Sequence, residues 1–104
     1  MITATITGST LYQNADSTLY FALMQDGNYL DASTLSSAEL KLCHEYQHAT
    51  YTLPDFTVAS IGGDNVLKLD FETDRCGSVK MHMKINGFGV NLSQYQFTII
   101  GEGC

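Results

Sequence analysis

The residues best suited to chemistry are His44, Glu45 and His48, which form a His-Glu-x-x-His pattern. On a helix, two histidines at this spacing share one face and can bind a zinc ion, while the glutamate acts as general base on the metal-bound water. Ser36 and Glu39 have the spacing of a capping box, which would begin such a helix. One interpretation of the chain is therefore a small zinc hydrolase.

The same stretch also has the pattern of a β-strand. Residues 38–46 alternate without a lapse between two sets of side chains, Ala-Leu-Leu-His-Tyr and Glu-Lys-Cys-Glu, and a period of two is that of a strand. The longer metzincin motif requires glycine where this chain has Tyr51, and the sequence offers no third ligand on an evident second helix. We therefore predict a strand here, with His44 on its inward or interfacial side and His48 in a turn.

A second set of possible metal ligands consists of Cys43, Cys76, His82 and Cys104. Their spacings are not those of known ligand pairs. We predict that Cys43 and Cys76 are small residues near strand ends, that the thiols are reduced, and that His82 is solvated. The sequence leaves the role of the three cysteines open.

Asp70, Glu72 and Asp74 could in principle serve acid–base chemistry or bind calcium. They alternate along a predicted strand, and no calcium-loop spacing follows them, so a solvated outer face is the better interpretation. The glycine pairs of the chain lie at predicted turns and do not precede a helix with a lysine, which excludes a phosphate loop. The prediction is a protein without enzymatic activity, with no catalytic, cofactor-binding or metal-binding residues and no cofactor.

Composition supports one globular domain with β structure. The chain has 104 residues, of which 44% are hydrophobic and 15% charged, so it can bury a single core. Its net charge is −6, and the five lysine and arginine residues form no cluster along the sequence. This argues against nucleic acid and against an anionic membrane surface as partners. We see no signal peptide and no apolar run of membrane-spanning length.

Short alternating segments separated by turn residues recur along the whole chain. Asp26-Gly27 and Asn86-Gly87 are strong signals for tight hairpin turns, and Pro54 indicates an edge strand or a bulge. The clearest strand segments are residues 2–7, 18–24, 66–72, 79–85 and 90–100. We predict an all-β fold, a single immunoglobulin-like antiparallel sandwich of about seven or eight strands spanning residues 1–104, with a flexible tail at 101–104.

Residues 19–24 are apolar on both faces of their predicted strand. Only one face of a sandwich strand meets the core, so the second face predicts burial against another chain. The six tyrosines of the chain are consistent with contact surfaces, since tyrosine combines a large apolar ring with a polar tip.

The order of several short motifs resembles the immunoglobulin-like N-terminal domain of tailed-phage baseplate upper proteins and similar small phage virion modules. These motifs are Tyr20-Phe21-Ala22-Leu23, Asp26-Gly27, Leu30-Asp31, Ala38-Glu39-Leu40-Lys41-Leu42, Gly77, Asn86-Gly87 and Tyr95-Gln96-Phe97-Thr98-Ile99-Ile100. The resemblance covers about residues 18–100. It implies a β-sandwich that docks onto other virion proteins, with no catalytic residues. The chain departs from that family in lacking the stalk or receptor-binding part that follows.

The function predicted from these observations is a non-enzymatic structural protein of a phage virion. It would serve as a head decoration, neck, fibre-attachment or baseplate (tail or capsid) module. Its partners would be other virion proteins in a homo- or hetero-oligomeric assembly, located in the virion after assembly in the host cytoplasm. Docking would use apolar strand faces and free strand edges. The alternatives are the zinc hydrolase and a small acidic phage-encoded inhibitor of a host protein.

Overall fold

The computed structural model describes residues 1–8, 11–44 and 48–102, and the structural statements below concern these residues. They form ten strands and two short 3₁₀ turns, at Ala32–Thr34 and Leu53–Asp55. The strands are β1 (Ile2–Gly8), β2 (Asp16–Gln25), β3 (Asn28–Tyr29), β4 (Ala38–Cys43), β5 (His48–Thr52), β6 (Thr57–Ile61), β7 (Asp64–Glu72), β8 (Gly77–Ile85), β9 (Phe88–Leu92) and β10 (Gln96–Ile99).

The strands build two facing layers joined through β9. The first layer has the order β6-β7-β2-β1-β9, with β3 added beside β2, and the second has the order β5-β4-β8 with both β9 and β10 on the far side of β8. β9 pairs antiparallel with the end of β8 and parallel with β1, so it belongs to both layers. No helix in the described part of the chain has the length and apolar character needed to cross a membrane.

The core lies between the layers and follows the strand alternation. β8 places Val79, Met81, Met83 and Ile85 inward, each at most 4% exposed, while its alternate residues face outward. Phe21, at the centre of β2, is fully buried and meets Phe56 edge to face at a centroid distance of 6.1 Å. The all-β sandwich expected from the alternation is confirmed.

The two predicted hairpin turns are also present. Asp26 and Gly27 have φ values of 52° and 82°, and Asn86 and Gly87 have values of 53° and 84°. Two successive positive φ angles are the backbone of a type I′ turn, whose twist matches that of the flanking strands. Asn and Asp tolerate this conformation at the first position better than other side-chain-bearing residues.

The last predicted strand, residues 90–100, is two strands in the structure. The pairing of β9 with β1 ends at Ser93. The amide of Ser93 still donates to the carbonyl of Ala4, but the next amide of β1 that faces it, that of Ile6, donates to the Ser93 hydroxyl and not to a backbone carbonyl. The chain then returns to the second layer, where the amide of Met81 donates to the carbonyl of Tyr95. This change of layer, together with the two-residue strand β3, explains why the strands number ten instead of seven or eight.

Pro54 is in neither an edge strand nor a bulge, contrary to the prediction. It lies in the 3₁₀ turn Leu53–Asp55, which links the edge strand of one layer, β5, to the edge strand of the other, β6. Proline is suited to the start of such a turn because its fixed φ is already helical and its missing amide hydrogen has no partner to lose there.

Ser17 is a polar residue in the apolar core. It is 2% exposed, and its hydroxyl has no hydrogen-bond partner in the described structure. A buried hydroxyl without a partner costs free energy of folding. We expect Ser17→Ala to raise the free energy of unfolding by about 1 kcal/mol in denaturant titration. Ser78→Ala, at an exposed position of β8, is the matched control and is expected to stay within about 0.5 kcal/mol. A lower midpoint for Ser17→Ala would contradict the prediction.

Candidate interaction surface

His44 and His48, the two histidines of the His-Glu-x-x-His pattern, do not lie on a helix. β4 ends at Cys43, His44 follows it, and His48 is the first residue of β5, directly opposite Cys43 in the antiparallel pair. Glu45 and Tyr46 lie outside the described residues. His44 therefore follows one strand and His48 begins the next, so the two histidines do not share the helix face that a zinc hydrolase of this type would need.

Both histidine positions differ from those predicted. His48 is a strand residue, not a turn residue, because the pairing of β5 with β4 extends to the end of β4. His44 lies just beyond β4, so the predicted strand over residues 38–46 ends earlier, at Cys43. The Nε2 atom of His44 is buried and has no hydrogen-bond partner among the described atoms.

The surroundings of His44 do not favour a metal ion. His44, His48, Glu72, Asp74 and Arg75 line a small cavity of about 100 Å³ at one end of the sandwich. The fixed positive charge of the arginine opposes a cation there. Within residues 1–8, 11–44 and 48–102, no group of three or more histidine, cysteine or acidic side chains has an arrangement that could hold a metal.

The second possible ligand set is also dispersed. Cys43 is the last residue of β4 and Cys76 directly precedes β8, as predicted, and both line an open pocket with Lys80. His82 is exposed on the outward side of β8, as predicted, opposite Lys41. Cys104 lies outside the described residues.

The cysteines are not all reduced, contrary to the prediction. Cys43 has a free thiol, whereas Cys76 is disulfide-bonded. The segment after β10 packs closely here, since a Cβ atom added to Gly101 would lie 2.8 Å from Cβ of Cys76. The carbonyl oxygen of Glu102 lies 3.7 Å from Sγ of Cys76.

The outward side of the first layer carries a group of exposed apolar side chains, here named the apolar face. Ala22 and Met24 point away from the core on β2, where Leu23 between them is buried. Met24 is 42% exposed, and Tyr29 and Ile61 are each 49% exposed. The apolar face consists of Tyr20, Ala22, Met24, Tyr29 and Ile61. That β2 presents apolar residues on both sides is thus confirmed, while its burial by another chain stays a prediction.

Val66 belongs to the same side of the first layer. It alternates with the inward Leu67, lies opposite Ala59 of β6, and is 4% exposed although it stands apart from the main core cluster. A buried valine outside the core indicates that apolar packing continues on the outer side of this layer.

A hydrogen-bond network fixes Tyr29 at the edge of the apolar face. The amide of Asn65 donates to the Tyr29 hydroxyl at 2.7 Å, and Nδ2 of Asn65 donates to Oδ1 of Asp31 at 3.0 Å. The hydroxyl and the amide of Ser33 donate to the same carboxylate. These bonds, that of the Ser33 hydroxyl foremost, hold the pKa of Asp31 below its usual value. Tyr29 is therefore presented in a defined orientation.

The outward side of the second layer is basic. The antiparallel register of β4 and β8 puts Lys41 opposite His82, Cys43 opposite Lys80 and Glu39 opposite Lys84. We name Lys41, Lys80, His82 and Lys84 the basic face. Three of the five lysine and arginine residues, which form no cluster along the sequence, thus share one face in the structure. Residues about 40 positions apart in sequence become neighbours only through strand pairing. The absence of nucleic-acid binding, which was inferred from the dispersal of basic residues along the sequence, stays a prediction.

The first layer carries acidic residues at the end remote from Met24. Asp16 of β2 lies opposite Glu72 of β7, and the hydroxyl of Thr18 donates to Asp70. Lys68 is the basic neighbour, with Nζ 3.6 Å from Asp70. We name Asp16, Asp70 and Glu72 the acidic patch; all three are exposed, as predicted for Asp70 and Glu72.

Two strand edges complete the possible contact surfaces. β5 and β6 are the last strands of their layers, so each has one side without a described neighbouring strand. An edge of this kind can accept a further strand through backbone hydrogen bonds. Tyr51 of β5 is partly buried against Phe71, and this burial, with the nearby Asp55, raises the pKa of its hydroxyl.

Comparison with known proteins finds a similar solved structure. No protein-family model and no curated protein sequence matches the chain. The crystal structure of the Lin-41 filamin domain matches with a TM-score of 0.61 and 14% sequence identity, over 93% of this chain and 91% of that chain. At this identity the likeness shows the fold alone. The chain has an immunoglobulin-like β-sandwich fold.

Proposed function

We propose that this protein is a non-enzymatic protein-binding module that docks through its apolar face. The observation that supports this proposal is that Met24, Tyr29 and Ile61 stay exposed on the outer side of a layer whose inner side already forms the core. Burial of such a face against a partner removes apolar area from water at about 25 cal/mol per Å². The ordered Tyr29 ring costs little entropy to bury, which suits an interface residue.

A protein–protein role also agrees with the rest of the molecule. The histidines that could have formed a hydrolytic site do not share a helix face, and Arg75 lines the same cavity as both of them. The immunoglobulin-like fold of the Lin-41 filamin domain is compatible with a binding module, although its likeness to this chain concerns the fold.

The substitution Met24→Glu tests this function, and we expect it to weaken partner binding. A charge at the centre of a buried apolar contact should lower affinity at least tenfold, which is about 1.4 kcal/mol. The measurement is quantitative mass spectrometry of proteins captured on the immobilised chain from cells that produce it. Thr50→Glu, at an exposed position of β5, is the matched control and should retain the bound protein. Equal recovery on both variants would refute docking through the apolar face.

The setting that we propose is a phage virion, where the module would bind other virion proteins as a head, neck, fibre-attachment or baseplate component. Support for this setting is the order of short motifs described above. Purified particles should then contain the protein at a fixed copy number by quantitative mass spectrometry. Its absence from particles would refute the virion setting and leave the binding function to be decided by Met24→Glu.

A further inference from the structure

We propose that copies of this chain associate head to tail, with the basic face of one copy against the acidic patch of the next. This inference concerns the charged surfaces and does not rest on docking through the apolar face. It follows from how the fold distributes charge between its two layers.

The two layers carry charges of opposite sign. Strands β4, β5, β8 and β10 carry Lys41, Lys80 and Lys84, and their acidic residue is Glu39, whose carboxylate lies 4.0 Å from Nζ of Lys41. The strands of the other layer carry Asp16, Asp64, Asp70 and Glu72, and their basic residue is Lys68. Because the layers face opposite directions, the molecule has outward surfaces of opposite sign.

The pattern of charge favours a second copy as the partner. A net charge of −6 opposes the approach of a long polyanion and of a second copy alike, so a partner must match the basic face locally. A second copy offers acidic side chains confined to one patch. Its carboxylates are also spaced by the same strand geometry as the lysines, at about 4.8 Å between neighbouring strands and about 6.8 Å between alternate residues of one strand. Charges on the two surfaces can therefore meet in register.

The size of the two surfaces limits the strength of the contact. The basic face spans two neighbouring strands and about six residues of each, which is about 200 Å² per copy from strand spacing and rise. This is below the area of stable interfaces, about 800 Å² per partner, so the association should be weak and sensitive to salt. Because two different surfaces meet, a pair of copies keeps one basic face and one acidic patch free, and further association gives an open chain or a ring.

The test is sedimentation velocity of the full chain over a range of concentrations. The weight-average mass should rise with concentration at about 0.02 M salt and return to that of the monomer at about 0.5 M, where charges are screened within a few ångströms. A wild-type chain that stays monomeric at low salt would overturn the proposal. So would a monomer that binds poly-aspartate, which would identify an anionic ligand in place of a second copy.

Two charge-reversed variants make the test specific. Lys80→Glu with Lys84→Glu removes the basic face, and Asp70→Lys with Glu72→Lys removes the acidic patch. Each variant alone should remain monomeric at low salt, and an equimolar mixture should associate, because each supplies the surface that the other lacks. Failure of the folded mixture to associate would refute the proposed pairing.

Circular dichroism establishes that both variants fold before they are mixed. If a charge reversal unfolds the chain, Lys80→Gln with Lys84→Gln is used as the second variant. At low salt, the self-association constant of this variant should be at least tenfold lower than that of the wild-type chain. An unchanged association constant would overturn the role of the basic face.

Discussion

Replacement of Phe21 by alanine is expected to lower the free energy of unfolding by about 4 kcal/mol. Phe21 is fully buried at the centre of β2, where it lies opposite Ile6 on one side and Leu67 on the other. The change removes the aromatic contact with Phe56 and leaves a cavity between the layers. Since domains of this size are stable by about 5–15 kcal/mol, a loss of this size removes much of the total. Denaturant titration followed by circular dichroism measures it.

Two controls separate burial from residue type. Phe88→Ala removes the same ring at a position that is 64% exposed, and we expect a change within about 0.5 kcal/mol. Phe21→Leu retains most of the apolar volume and should lose markedly less than Phe21→Ala. Equal losses for the Phe21→Ala and Phe88→Ala variants would show that the described packing of the two layers is wrong.

Replacement of Asn86 by alanine is expected to have the second-largest effect, a loss of about 3 kcal/mol. Its Oδ1 atom accepts from the amide of Ser36 at 2.8 Å, the hydroxyl of Ser36 at 2.9 Å and the amide of Ser37 at 3.3 Å. Its φ is 53°, which an alanine side chain adopts only with strain. The residue therefore shapes the β8–β9 hairpin and also ties the segment before β4 to it.

Substitutions at the same position separate these two roles. Asn86→Gly relieves the strain but removes the acceptor, so it should lose about 2 kcal/mol. Asn86→Asp keeps an acceptor oxygen and tolerates the positive φ, so its loss should be below about 1 kcal/mol. Thermal or denaturant unfolding ranks the three variants. A glycine variant as stable as the wild type would show that the hydrogen bonds to Ser36 and Ser37 contribute little.

The parts of the fold that the sequence predicts are those governed by neighbours in the chain. Alternation identifies β2, β7 and β8, and the pairs Asp26-Gly27 and Asn86-Gly87 identify the type I′ turns because local backbone angles decide them. The strand interpretation of residues 38–43 also depends on local alternation and is confirmed. Its continuation is wrong at His44, which lies just beyond β4, and residues 45 and 46 lie outside the described part of the chain.

The parts that sequence reasoning missed depend on long-range pairing. The basic face exists because the register of β4 and β8 puts Lys41 beside His82, and no spacing along the chain reports that register. The break between β9 and β10 depends on Ser93 bonding to β1 at the other end of the chain. The apolar face was found in part, since the two-sided apolar pattern of residues 19–24 identified β2 but not Tyr29 or Ile61.

The parallel pairing of β1 with β9 has a mechanical consequence. Ile2, Thr3 and Ala4 pair with Val90, Asn91 and Leu92, and the two strands run in the same direction. A pulling force between the start of β1 and the end of β9 would slide these strands past each other. Their hydrogen bonds would then be loaded together as shear, whereas a peeled edge would lose them one at a time. The strand that joins the two layers is thus also placed to resist tension along the chain.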